Sequence, residues 1–73
     1  MEEEELTRTW IYGEVGRVAA IAASGDCEAA HSHEDRLWEA VLRAIADGRC
    51  RDPQACAREA LQTLRFGFPR HCG

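Results

Sequence analysis

The residues with the most chemistry in this chain are its four cysteines and three histidines. Cys27, His31 and Glu34 recur at the one-turn spacing of an α-helix, and Asp35 follows directly. Thiolate, imidazole and carboxylate groups all ligate zinc. The spacing is therefore typical of a metal site at Cys27, His31 and Glu34 if a single helix begins near Asp26 and carries all three. We prefer the alternative in which Ser32 is the N-cap, so that Cys27 and His31 lie in a turn and face water.

A second cysteine set lies near the C-terminus. Cys50 and Cys56 bracket a turn, and with His71 and Cys72 they would compose a Cys₃His zinc site if the tail returned to that turn. A disulfide between Cys50 and Cys56 is a further alternative. Buried thiols also serve simply as small apolar side chains, and for this set we prefer that interpretation.

No catalytic pattern accompanies these thiols. A Cys–His nucleophile at His71-Cys72 or at Cys27 and His31 would need an orienting third residue and a glycine-rich oxyanion turn, and the sequence offers neither. Phosphate loops and paired catalytic carboxylates are also missing from the sequence. We therefore expect that the protein is not an enzyme.

Aromatic residues alternate with arginines in residues 65–70, a pattern that suits stacking on single-stranded nucleic acid. The formal charge of −4 opposes this interpretation, because phosphate binding depends on net positive charge. Phe66 and Phe68 are explained more simply by packing against the fold. Nucleic-acid binding is thus the third alternative for function.

Composition indicates the origin and compartment. All nine basic residues are arginine, and twelve residues are alanine, as in products of GC-rich bacterial or phage genes. Met1 is followed by four glutamates rather than by a basic and then apolar leader, and no apolar run approaches the ~20 residues of a membrane span. We expect a cytoplasmic protein whose residues 1–5 form a disordered acidic head.

The first apolar segment, residues 6–23, fits helical periodicity better than strand alternation, because residues 10–12 are consecutively apolar. A β-hairpin over residues 7–18 remains an alternative, since its threonine, valine and aromatic residues suit strands. Gly13 and Gly16 weaken this helix, and we expect them to mark either the close approach of another helix or a kink.

Two further helices are bounded by end signals. Ser32-His-Glu-Asp35 reads as a capping box and favours a start at Ser32, although Asp26 could cap a longer helix. Gly48 should end this helix, and Asp52-Pro53 should begin another that reaches about Arg65. We predict an all-α fold in which residues 1–73 form one compact three-helix bundle with an aromatic C-terminal tail packed on it.

One stretch also carries a family resemblance. The run from Gly25 to Leu37, with its Ala-His-x-x-Glu-Asp-x-Leu pattern, continues through Val-Leu-Arg-Ala-Ile-Ala-Asp-Gly48. It resembles short uncharacterised proteins of high-GC actinobacteria and their phages, which often have proline at the position of Cys27. The resemblance implies a bacterial or phage origin.

These observations lead to an expected function. A small bacterial or phage protein without catalytic groups is expected to act by binding another protein, as a regulator or inhibitor of a host protein. The alternative is a zinc-stabilised module. Because so short a chain buries little apolar surface, a homodimer through the Trp38–Ile45 face or the face of Gly13 and Gly16 is one alternative. The other is a monomer in which the tail with Phe66 and Phe68 covers the open apolar surface.

Overall fold

Three α-helices and a short 3₁₀ helix make up the fold in the computed structural model, which describes residues 5–68. The elements are α1 (Arg8–Ala23), α2 (Cys27–Ala46), α3 (Pro53–Ala60) and the 3₁₀ helix (Leu61–Arg65). Within residues 5–68 there is no β-strand, and a single parallel bridge pairs Leu6 with Cys50. The predicted all-α bundle is confirmed, and the alternative hairpin over residues 7–18 is wrong.

Each α-helix begins after a side chain that caps it. The side-chain oxygens of Thr7, Asp26 and Asp52 accept hydrogen bonds from backbone N–H groups three residues on, at 3.1, 3.0 and 3.1 Å. Such caps satisfy N–H groups that have no partner within the helix. Gly25 and Gly48, with φ of +90° and +72°, form the turns that end α1 and α2.

The start of α2 corrects our preference for Ser32 as the N-cap. The helix begins at Cys27, and Ser32 is an exposed residue in its interior. Tertiary packing explains the additional turns, because Ala30 is fully buried in a cluster with Val18 and Phe68. Burial of that apolar surface stabilises helical backbone ahead of Ser32, so the capping-box pattern is not used.

Two apolar clusters form the core. The larger joins all three α-helices and the turn before α3, through Ile11, Val15, Leu37, Val41, Cys50, Cys56 and Ala60. The smaller contains Val18, Ala30 and Phe68, and Phe66 packs against both clusters. The predicted packing of the aromatic tail is therefore confirmed for Phe66 and Phe68, and residues 69–73 lie outside the described residues.

The buried faces of α2 and α3 leave out several leucines that have the spacing of core residues in the sequence. Leu42, Leu61 and Leu64 are exposed. Apart from Leu37 and Val41, the core positions of these elements hold small or polar side chains: Ala30, Glu34 and Ala44 on α2, Cys56 and Ala60 on α3, and Thr63 on the 3₁₀ helix. Small residues let the helices approach closely, and the larger leucines are left at the edges of the contact.

The glycines of α1 also behave differently from expectation. A Cβ atom added at Gly13 or Gly16 would meet no other atom within 4 Å, so the predicted close approach is wrong. Of the acidic head, residues 1–4 lie outside the described residues, and Glu5 Oε2 lies 3.3 Å from Arg51 Nε. No helix in the described part of the chain has the length and hydropathy needed to cross a bilayer.

Candidate functional site

The residues of the predicted metal site lie together in the first turns of α2. Because α2 begins at Cys27, that residue and His31 are one turn apart, as the metal hypothesis required. Cys27 is half-buried, and Glu34 is 4% exposed on the core-facing side. His31 Nε2 lies 3.3 Å from Asp35 Oδ2, while His31 Nδ1 is buried without a hydrogen-bond partner among the described residues.

Although Cys27, His31 and Glu34 lie on one helix, their side chains do not form a set of three metal ligands. Across residues 5–68, no three His, Cys, Asp or Glu side chains are arranged so that they could hold a metal ion. The zinc site at Cys27, His31 and Glu34 thus remains a sequence-based prediction. Native mass spectrometry with and without chelator is its test.

Cys50 and Cys56 are brought together at the turn before α3. Both are free thiols in the same core cluster. Burial, hydrogen bonding to Cys50, and the charges of Cys50, Asp52 and Glu5 raise the pKa of Cys56 to about 11. The other two members of the proposed Cys₃His set, His71 and Cys72, lie outside the described residues.

His33, which belongs to none of the predicted sites, joins α1 to α2. His33 Nε2 lies 2.9 Å from Glu14 Oε1, and Arg17 Nε lies 3.3 Å from the other oxygen of the same carboxylate. Both His33 and Glu14 are half-buried. This pair links α1 to α2, the two longest helices, through the imidazole of His33 and the carboxylate of Glu14.

The most distinctive surface of the molecule is an apolar groove between α2 and α3, which we call the α2–α3 groove. It has a volume of about 290 Å³. All of its lining residues are apolar: Trp38, Val41, Leu42, Ile45, Ala57, Ala60 and Leu61. Leu42 is 64% exposed and Leu61 is 51% exposed, so large aliphatic side chains face solvent on both sides of the groove.

Trp38 is fixed in this groove by its ring nitrogen. Its Nε1–H donates to the carbonyl oxygen of Ala60 at 3.2 Å and to Thr63 Oγ1 at 3.1 Å. The polar atom of the indole is therefore satisfied inside the fold, and carbon atoms of the ring line the groove. Sequence periodicity could not identify Thr63 as a partner of Trp38. The only signal in the sequence is the tryptophan itself, because a half-buried indole N–H needs an acceptor.

The edges of the groove carry charge. On α2, Arg43 donates to Glu39 at 2.7 Å, one turn along the helix. On the other side, Arg58 follows the lining residue Ala57 and is exposed, although it also lines a separate opening with Arg8 and Glu59. Arg58 forms no ion pair within residues 5–68.

The aromatic residues considered for nucleic-acid stacking have a structural role. Phe68 is buried in the smaller core cluster and Phe66 is half-buried between both clusters. Arg70 lies outside the described residues. The rings of Phe66 and Phe68 are therefore used in packing within the fold.

Comparisons with protein-family models, with curated proteins and with solved structures give no match for this chain.

Proposed function

We propose that this chain is a small, non-enzymatic protein of the cytoplasm that acts by binding another protein, and that the α2–α3 groove is its binding surface. The observation that carries the proposal is the groove itself, in which Leu42 and Leu61 stand exposed beside Trp38 and no polar residue contributes to the lining. Contiguous exposed apolar surface of this kind marks sites of protein interaction.

The groove is suited to tight binding because its largest residue is already held in place. Trp38 makes two hydrogen bonds within the fold, so little side-chain entropy is lost when a partner packs against it. Tryptophan is among the residues that contribute most to binding energy at interfaces. Leu42 and Leu61 would enclose the same contact and exclude water from it.

The shape and charge of the groove favour an amphipathic helix as its occupant. A channel between two helices accepts the apolar face of a third, which presents side chains at positions i, i+3, i+4 and i+7. Arg58, an exposed residue next to the lining residue Ala57, would attract an acidic residue flanking those apolar positions. We therefore propose a partner helix that is apolar on one face and acidic beside it.

The absence of an enzymatic role in this proposal is supported by how the titratable groups are engaged. His33 pairs with Glu14, His31 with Asp35, and Arg8 with Glu59 at 3.2 Å. The groove contains none of these groups. From the resemblance to actinobacterial and phage proteins, which stays a prediction, we propose a partner in a high-GC bacterial cell, where the chain would regulate or inhibit a host protein.

The proposal is tested by capture from an actinobacterial lysate with matched variants. Leu42→Glu places a charge in the groove, and Tyr12→Glu makes the same change at a residue of α1 that is 68% exposed and outside the groove. Specific proteins retained by the wild-type chain and by Tyr12→Glu, but lost with Leu42→Glu, support the groove as the binding surface. Loss with both variants, or with neither, contradicts it.

A second copy of the chain is the competing occupant of the groove. Sedimentation equilibrium over a wide concentration range distinguishes the two cases. A monomer mass at all concentrations agrees with a heterologous partner. A dimer that Leu42→Glu dissociates and Tyr12→Glu preserves would replace the partner helix by a second copy.

A further inference from the structure

Cys50 and Cys56 lie in the same core cluster, beneath the N-terminal segment. Cys50 is in the turn that follows α2 and Cys56 is in the first turns of α3. Both lie beside Leu6: Cys50 Sγ is 3.9 Å from its carbonyl oxygen, and Cys56 lines an opening with it. Their exposures are 9% and 2%. Two thiols brought to one place by separate parts of the fold can undergo a reaction that a single cysteine cannot.

We propose that Cys50 and Cys56 form an oxidisable dithiol, which a small-molecule disulfide converts into an intramolecular disulfide. The thiolate of Cys50 attacks one sulfur of the small disulfide, whose S–S bond breaks to release one thiolate and leave a mixed disulfide. Cys56 then loses its proton to solvent and attacks the sulfur of Cys50, releasing the second small thiol. The two cysteines are oxidised, and the small disulfide is reduced to two thiols.

Access to the pair is controlled by residues 5–7, which we call the N-terminal strap. Leu6 N donates to Arg49 O at 2.9 Å, and Cys50 Sγ lies 3.9 Å from the carbonyl oxygen of Leu6. The ion pair between Glu5 and Arg51 joins the same segment to the turn before α3. The strap thus covers the dithiol, and its displacement should expose both sulfurs.

An opening beside the strap reaches Cys56. It has a volume of about 210 Å³ and is lined by residues of the strap, α1, the turn and α3: Glu5, Leu6, Thr7, Arg8, Arg51, Asp52 and Cys56. Cys50 does not line this opening, so a small disulfide reaches the Cys50 sulfur when the strap is displaced. We assign the first attack to Cys50 because it is the more exposed of the two thiols.

The second step should depend strongly on pH. Burial and the Cys50 thiol raise the pKa of Cys56 to about 11 in the free dithiol, and burial still raises this pKa in the mixed disulfide. The charged and titratable groups around it are Glu5, Arg8, Cys50, Arg51 and Asp52. As long as the pH stays below the pKa of Cys56, closure of the mixed disulfide should accelerate by up to about tenfold for each unit by which the pH is raised, because the thiolate fraction rises in that proportion.

The experiment uses the full chain with Cys27→Ser and Cys72→Ser, so that Cys50 and Cys56 are its remaining cysteines. The folded protein is treated with oxidised glutathione, and intact mass is followed over time between pH 7 and pH 9. We expect a transient glutathione adduct and then a product lacking two hydrogen atoms. Adding Cys56→Ser should stop the reaction at the adduct, and adding Cys50→Ser should greatly slow any modification.

The strap is tested in the same assay. Leu6→Ala should accelerate the first step, while Thr9→Ala, an exposed change on α1, should leave its rate unchanged. A stable adduct that never closes at pH 9, oxidation only in denaturant, or disulfides only between chains would overturn the proposal. If the serine background does not fold, peptide mapping of the alkylated wild-type chain identifies which cysteines become linked and gives the same decision.

Discussion

The indole nitrogen of Trp38 lies 3.1 Å from the hydroxyl oxygen of Thr63 and joins α2 to the 3₁₀ helix. The same N–H also reaches the carbonyl oxygen of Ala60, which in turn accepts a hydrogen bond from Thr63 Oγ1 at 3.2 Å. Thr63 is fully buried, so this three-membered network is shielded from water. It holds the wall of the α2–α3 groove in one geometry.

Removing the threonine hydroxyl should weaken this junction. Thr63→Val keeps the side-chain shape and deletes one acceptor of the Trp38 N–H, so we expect a loss of about 1 kcal/mol in the free energy of unfolding. Thr9→Val, at an exposed position of α1, should change it by less than about 0.5 kcal/mol. Urea unfolding followed by circular dichroism measures both. Equal stability of the two variants would show that the network contributes nothing.

Much of the fold was predictable because local signals bound its helices. Asp52-Pro53, Gly48 and the Phe66–Phe68 tail each behave as their residue types predict, since caps, φ constraints and aromatic burial act over a few residues. The prediction that α2 begins at Ser32 was wrong because a capping box reflects only the preferences of neighbouring residues. The burial of Ala30 against another part of the chain outweighs it.

The groove could not be predicted from periodicity. Leu42 and Leu61 have the spacing of core residues, but exposure is set by which face the neighbouring helices cover. The junction of Trp38 with Thr63 also depends on the change from α-helix to 3₁₀ helix at Leu61, which rotates the following side chains. The exposure of the two leucines and the Trp38–Thr63 hydrogen bond both depend on contacts between residues that are distant in the sequence.

The position of the α2 N-cap gives a direct mutational test. Asp26→Ala should destabilise the protein by about 1 kcal/mol, because its carboxylate caps the Ala29 N–H. Ser32→Ala should be neutral or slightly stabilising, since alanine is the better residue in an exposed helix interior. Thermal and urea unfolding compare the two. A larger loss for Ser32→Ala than for Asp26→Ala would place the start of the helix at Ser32.

The glycines of α1 should be sites of stabilisation. Gly13 and Gly16 are helical, and a Cβ atom at either position meets open space, so alanine should add about 1 kcal/mol each. Gly25→Ala is the matched control and should destabilise, because Gly25 has φ of +90°. Melting temperatures test this set. A destabilising effect of Gly13→Ala or Gly16→Ala would mean that this face makes a close contact.

The buried thiol of Cys56 predicts a loss of stability in alkali. Its pKa is raised from 9.0 to about 11 in the folded protein, so the unfolded chain releases this proton first as pH rises. The stability is complete below about pH 8 and falls between about pH 9 and pH 11, by at most about 1.4 kcal/mol for each pH unit. Urea titrations should show this fall in the wild-type chain beyond that of Cys56→Ala. Parallel curves for the two proteins would contradict it.

The binding role of the groove is tested most directly by photo-crosslinking inside an actinobacterial cell. A photoreactive amino acid is placed at Leu42, within the groove, or at Tyr12, on exposed α1 outside it. We predict a discrete covalent adduct with one host protein from position 42 and none from position 12, with the linked peptide in an amphipathic helix of that protein. No adduct from position 42, or the same adduct from both positions, would contradict the proposal that this protein acts through the α2–α3 groove.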